Sequence, residues 1–319
     1  MEDYPNNLRE FDAKFPTQAA CRTYLEKLRW PDGFVCPYCS AAKAWRVGIL
    51  WECRQCSKQV SVTSGTIFQD TRTSLRVWFQ AMWWLTTQKN GASALGLQRV
   101  LGLKKYKTAW TWLHKLRSAM VRPGRDLLQG CVEVDETYLG ALEEGKPGRG
   151  TEKKALIAVA VEESGRGSGR IRLRLIKDAS GSSLMEFISL SIKPGSVVHT
   201  DGWSGYSGLE KHGYQHQVTV VKNQKAHELL PRTHRVITLL KRWLLGTHQG
   251  AVSHKHLAYY LDEFTFRFNR RTSSSRGKLF YRLVQQALMV EPRTYRMIVD
   301  QKAVPQRPET AKTQDVVVT

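Results

Sequence analysis

Three stretches, CVEVDETYLG (131–140), KALIAVAVEE (154–163) and RIRLRLIKD (170–178), decide the fold of this chain. The first and third alternate apolar with polar residues, as strands do, and the second reads as a strand between them. GKPGRG (145–150) and SGRGSG (164–169) supply turn residues between them, so the three predict an antiparallel meander. GSSLMEFISLSI (181–192), opened by a serine, predicts a helix. Lys193-Pro194-Gly195 then turns the chain into SVVHTD (196–201), a short buried strand, and HQVTVV (216–221) reads as a fifth strand. A long helix is expected over roughly 227–245.

Meander, helix, strand, strand, helix is the order of an RNase H-like α/β domain, a mixed five-stranded sheet with helices. Two more helical stretches follow, KHLAYYLDEFTFRFNRR (255–271) and KLFYRLVQQALMV (278–290). The last 25 or so residues are polar, with Pro305 and Pro308, and predict a mobile tail. The expected division is a zinc ribbon at 15–70, a helix-turn-helix region at 71–125, the catalytic domain at 130–290 and the tail at 291–319.

The ribbon rests on two CxxC pairs, Cys36 with Cys39 and Cys53 with Cys56, thirteen residues apart. Four thiolates at this spacing close a tetrahedron around one Zn²⁺. Four sulfurs leave no open coordination position, so the ion is structural. Cys21 and Cys131 have no evident partner, which fits a reducing compartment.

The chain has 319 residues, 41% of them hydrophobic, and a formal net charge of +21. That excess implies a polyanion as partner, DNA or RNA rather than a membrane. No run of about 18 apolar residues is present, and the acidic start MEDYPNN is unlike a secretory leader, so a cytoplasmic protein is expected. The charge is uneven. Residues 1–50 hold seven Lys/Arg against six Asp/Glu, whereas 51–130 hold 13 against three. Lys104 to Arg125 includes seven basic residues and no acid.

That basic stretch falls in a helical region. SLRVWFQAMWWLTTQ (74–88) repeats Leu75, Trp78, Met82 and Leu85 at helical spacing behind the N-cap Ser74, and Asn90-Gly91 ends it. ASALGLQRVLG (92–102) and KKYKTAWTWLHKLRSAM (104–120) read as a short helix, a glycine turn and a basic helix. This is helix-turn-helix grammar, and equally that of a plain three-helix bundle with a solvated basic face. On the first reading, Lys104, Lys105, Tyr106, Lys107 and Thr108 sit at the groove-facing start of the recognition helix, with Lys115 and Arg117 further along it.

Asp135 lies in the first strand of the meander and Asp201 at the end of the fourth. Either alone reads equally as a turn cap. In an RNase H-like sheet, however, the two positions are neighbours. Two buried carboxylates repel unless a cation separates them, and Mg²⁺ suits carboxylate oxygens and phosphate together. Two such ions about 4 Å apart clamp the attacking and leaving oxygens of a phosphodiester. His234 and Lys241, seven residues apart, share a helix face. Spacing alone leaves them as members of a solvated face.

VEVDETYLG, HTDGWSGY and LLKRWLLGTHQGAVSHKHLAYYLDEFTFRFNRR together resemble a bacterial insertion-sequence transposase of the DDE superfamily, in the group with an N-terminal zinc ribbon and an RNase H-like domain. The resemblance spans roughly 15–290 and includes the CPYC and CRQC pairs. It implies that Asp135 and Asp201 are the first two metal ligands and Lys241 the basic residue of the third motif. Aligning on LLKR sets His234 where many relatives have Glu or Asn, with Glu228 and Glu263 as fallbacks. His199, on the strand face of Asp201, is then a candidate partner for it. The implied activity is binding of element ends in double-stranded DNA, cleavage there, and joining of the 3′ ends to target DNA. Mg²⁺ or Mn²⁺ would serve catalysis, with imidazole favouring Mn²⁺, and a homodimer or larger assembly on DNA is implied. Two alternatives are a catalytically inactive DNA-binding regulator and a structure-specific nuclease of the same fold.

Overall fold

The computed structural model describes residues 2–122, 124–140, 154–219, 229–250 and 252–300. The described residues form two compact units: one from residues up to 121 with 272–300, the other from 122–271. No helix among them is long and apolar enough to cross a membrane.

The first unit opens with α1 (Leu8–Lys14) and α2 (Gln18–Arg29). Asn7 and Thr17 cap them through side-chain oxygens that accept the Glu10 and Ala20 amides. The ribbon follows as an antiparallel sheet in the order β1 (Ala44–Val47), β2 (Leu50–Cys53), β3 (Gln59–Val60). Its own core is small: Phe34, Cys36, Cys53 and Val60, with Trp30 and Trp51 against them. Next come α3 (Leu75–Thr87), α4 (Ala94–Val100) and α5 (Tyr106–Ser118). Ser93 caps α4 through its hydroxyl, whereas Ser74 occupies the N-cap position of α3 without a capping bond. Trp78 of α3 stacks on Trp112 of α5 with ring centroids 3.9 Å apart.

The second unit is a five-stranded sheet. β4 (Cys131–Leu139), β5 (Ala155–Ser164) and β6 (Gly167–Ile176) form the antiparallel meander. α6 (Gly181–Ser191) leads to β7 (Val197–Thr200) and β8 (Gln215–Val218), which lie parallel to β4. The order is β6-β5-β4-β7-β8, an RNase H-like arrangement. β5 lies inside the sheet, between β6 and β4, and is buried from Leu156 to Val161, which explains its unbroken apolar run. Val132, Val134, Ala158 and Ala160 face α6, while Ile157, Val159 and Val161 face α7 (Pro231–His248) and α8 (Leu257–Phe268). The expected fifth strand continued to residue 221 and the long helix began at 227. β8 ends at Val218 and α7 begins at Pro231, the residues between 220 and 228 lying outside the described set. α7 also runs to His248, beyond the expected 245.

The chain then returns to the first unit with α9 (Arg276–Met289) and α10 (Tyr295–Asp300). The expected catalytic domain ran to 290, but α9 does not pack in the sheet unit. Phe280 of α9 is buried and meets Phe11, Phe15, Phe79 and Trp83 with centroids 5.6–5.7 Å away. That aromatic cluster is the physical reason for the return. Gly277 is required for it, because a Cβ there would stand 1.6 Å from the Pro5 carbonyl oxygen. The expected tail begins with α10, and residues 301–319 lie outside the described set.

Candidate active site

The ribbon carries the first donor cluster. Cys36, Cys39, Cys53 and Cys56 have sulfurs all within 4.8 Å of one another. Cys36 to Cys56 is 3.7 Å and Cys39 to Cys53 is 3.5 Å. Bonds of about 2.3 Å to one zinc imply a tetrahedral edge of about 3.8 Å, so the four thiols fit the ion. Ser40 and Ser57 follow the pairs at φ of +61° and +53°, and their amides donate to the Cys36 and Cys53 carbonyls. These tight turns aim each pair of sulfurs inward. The Cys56 amide, with that of Gln55, holds the Cys53 thiol down at about 7, whereas Cys39, against the Ala41 amide, is raised to about 12 by burial and its contacts with the other three thiols. The ribbon is therefore a site for a structural Zn²⁺.

The second cluster is assembled on β4. The parallel register pairs Glu133 with His199, and the same offset carried two residues further sets Asp135 beside Asp201. Alternation turns Glu133 and Asp135 toward α7, while Glu136 points to the other face. Nε2 of His234, on α7, lies 3.9 Å from Oδ2 of Asp135. Two ligands of one divalent ion at about 2.1 Å span at most about 4.2 Å, so this pair fits a common ion. Asp135, Asp201 and His234 do not close to the mutual 4.8 Å of the cysteines. Burial pushes the Asp135 carboxyl up to about 7, and the charges of Glu136, Asp201 and Glu133 add to it, against the Glu136 amide that donates to its Oδ1 at 2.8 Å. A cation would relieve that repulsion. The Asp201 Oδ1 accepts the Trp203 amide at 3.1 Å.

Lys241 is exposed two turns along α7 from His234. His199 does not serve Asp201: its Nε2 meets the Thr219 hydroxyl at 2.7 Å. Glu263 is fully buried on α8 and accepts from Arg267 at 2.8 Å, while Glu228 lies outside the described residues.

Two residues had no role assigned from sequence. Glu133 accepts the amides of Arg232 and Thr233 at the start of α7. The buried Tyr206 donates to Glu136 at 2.7 Å, tying the segment after Asp201 to β4. The run of acids at 133, 135 and 136 was the available signal.

Lys104, Lys105, Tyr106 and Lys107 are exposed where α5 begins, and Thr108 is half-buried. Lys107 holds its ammonium 3.6 Å from the centroid of the Tyr295 ring. Lys115 and Arg117, expected on the same surface, are turned inward. Arg117 is 1% exposed, and Lys115 donates to the Ile67 carbonyl at 3.4 Å, its pKa lowered by burial. The buried set Ala109, Trp112, Leu113, Leu116 and Arg117 follows the i, i+3, i+4, i+7, i+8 stripe of a core-facing helix. The position of Arg117 on that stripe overrides its charge.

Residues 127–269 match the family of ISXO2-like transposase domains, and residues 16–59 match the transposase zinc-ribbon domain. The "Uncharacterized protein in transposable element ISH50" of Halobacterium salinarum is 27% identical over 277 residues, covering 79% of this chain and 91% of that protein. Among solved structures, the Mos1 strand transfer complex aligns with 66% of this chain and 75% of its own at 11% identity and a TM-score of 0.28. The Mos1 transposase paired-end complex with left transposon end aligns with 63% and 79% at 11% identity and a TM-score of 0.24.

Proposed function

We propose that this chain, whose residues 127–269 and 16–59 match the ISXO2-like transposase and transposase zinc-ribbon families, binds the ends of its element, cleaves there and joins the 3′ ends to target DNA. The observation that carries this reading is the convergence on one sheet face of Asp135, the Asp201 register position, and His234 at 3.9 Å. Asp135, Asp201 and His234 would hold Mg²⁺ or Mn²⁺, and the metal would supply charge neutralisation at the scissile phosphate. Asp135, whose carboxyl burial raises to about 7, would have to be deprotonated to act as a ligand. Lys241, two turns along α7 from His234, offers its ammonium to a flanking phosphate. The ribbon and the start of α5 contact the element ends in double-stranded DNA, and two copies pair two ends.

The test is a strand-transfer assay on labelled DNA ends with Mg²⁺ or Mn²⁺. Asp201→Ala is expected to lose cleavage and joining while end binding is retained. His234→Ala is expected to lose joining, and His234→Glu to stay active with a preference shifted toward Mg²⁺, the harder ion. Wild-type cleavage by Asp201→Ala sinks the reading. Cleavage without joining by the wild type turns it into a nuclease, and end binding with neither step into a regulator.

A further inference from the structure

We infer that Glu133 is a positioning residue: it fixes the start of α7 against β4 and thereby holds His234 in reach of Asp135. The inference rests on His234 being a ligand, as proposed above. Glu133 is fully buried, two residues before Asp135 on the same face of β4. Its Oε2 accepts the Arg232 amide at 2.8 Å and the Thr233 amide at 2.9 Å, and its Oε1 accepts the Arg232 guanidinium at 2.8 Å. These amides belong to the first turn of α7, where a helix has no acceptors of its own. The residue at the N-cap is Leu230, whose side chain cannot accept. The missing cap therefore comes from the strand that also carries Asp135.

The cap sets rotation as well as position. Two adjacent amides held by one oxygen fix the phase of the first turn, and a slip of one residue swings every later side chain by about 100°. His234 is the next residue after the held pair. Its own amide closes the turn onto the Leu230 carbonyl at 3.1 Å. Arg232 braces the same turn through Glu163 at 2.9 Å and the carbonyls of Gly167 and Gly165 at 3.1 and 3.3 Å. A carboxylate also suits the positive end of the helix dipole. Glu133 is not itself a free ligand, because three donors already occupy its two oxygens. Glutamine at this position turns an NH₂ group toward a donor, whichever way its amide is oriented.

The experiment measures Mn²⁺ affinity of full-length, zinc-loaded protein by calorimetry, alongside thermal melting and amide exchange. Glu133→Gln is expected to melt cooperatively, to lose protection at Arg232 and Thr233, and to bind Mn²⁺ about 10–100-fold more weakly. In the double variant with His234→Ala, Glu133→Gln is expected to add no further loss, because its effect passes through the imidazole. A capping role of stability alone would leave Mn²⁺ affinity unmoved. The inference is overturned if His234→Ala weakens binding and Glu133→Gln does not, or if the two losses add. Wild-type Mn²⁺ affinity in His234→Ala removes the ligand assignment itself. If Glu133→Gln does not fold, Glu133→Asp keeps the charge with a shorter reach. Wild-type affinity in that variant then overturns the inference.

Discussion

In the ribbon, four sulfurs drawn from one stretch, 36–56, stand 3.5–3.7 Å apart across its closest pairs. In the sheet unit, Asp135, Asp201 and His234 come from β4, the end of β7 and α7, spread over residues 135–234, with His234 3.9 Å from Asp135. The knuckles need only their own turns. The acidic site needs a scaffold: the β4–β7 register brings the two aspartates together, and α7 delivers the imidazole. The electrostatics differ in origin too. Within the ribbon the shifts split: backbone amides hold the Cys53 thiol down at about 7, while Cys39, against the Ala41 amide, is raised to about 12 by burial and the three neighbouring thiols. At Asp135 burial raises the carboxyl, and the nearby acids add to it.

The largest effect is expected from Cys36→Ser. Structural zinc sites contribute an apparent 10–16 kcal/mol or so, so the variant should contain no zinc by elemental analysis and lose end binding. Mn²⁺ affinity of the acidic site should stay at the wild-type level. If it falls as well, the two sites are not the independent structures contrasted above.

Phe280→Ala asks whether the ribbon's unit is as locally held as its metal site. A fully buried Phe truncated to Ala costs about 3–5 kcal/mol. Eight of the ten tryptophans lie before residue 121, so denaturation followed by tryptophan fluorescence reports mainly on that unit. An unchanged midpoint would mean α9 is dispensable there.

Asp135→Asn tests the strain in the acidic site. The folded carboxyl titrates near 7, above its ordinary 3.8. Native protein therefore keeps a proton that the unfolded chain loses as pH rises from about 4. The stability this group contributes is present at low pH and is lost as pH climbs through 7. Asparagine cannot ionise. Without added Mg²⁺ or Mn²⁺, the variant should thus be more stable than wild type at pH 8, by up to about 4 kcal/mol, and equal to it near pH 4. Melting curves at the two pH values decide it. Equal stability at pH 8 would remove the contrast with the ribbon.

The smallest effect is reserved for the basic face. Charge reversal at Lys105 and Lys107 should flatten the dependence of log K on log salt by about one unit per lost phosphate contact. The same change at Lys115 or Arg117 should instead destabilise the unit, because both are turned inward. A salt titration beside a melting curve separates the two outcomes.

Most of the sheet was legible because period-two alternation and turn residues are local signals, and so was the cysteine set. The inward direction of Arg117 was legible from its place on the buried stripe, despite its charge, whereas that of Lys115 was not, since it lies off the stripe and is drawn to the distant Ile67 carbonyl. The return of α9 to the first unit was not legible, since an aromatic cluster joining Phe11 to Phe280 leaves no short-range trace. Glu133 escaped for a related reason: alternation shows which face a carboxylate takes, but not which distant helix lacks a cap.

The discontinuity of the first unit has a consequence for synthesis. Residues 122–271 form one uninterrupted segment, so the sheet unit can be completed while the chain is still on the ribosome. The ribbon's unit cannot, because Phe280 must emerge before its aromatic cluster closes. Residues before 122 therefore complete their core only after residues 122–271 have been made, and a chain truncated after residue 121 leaves an open apolar seam.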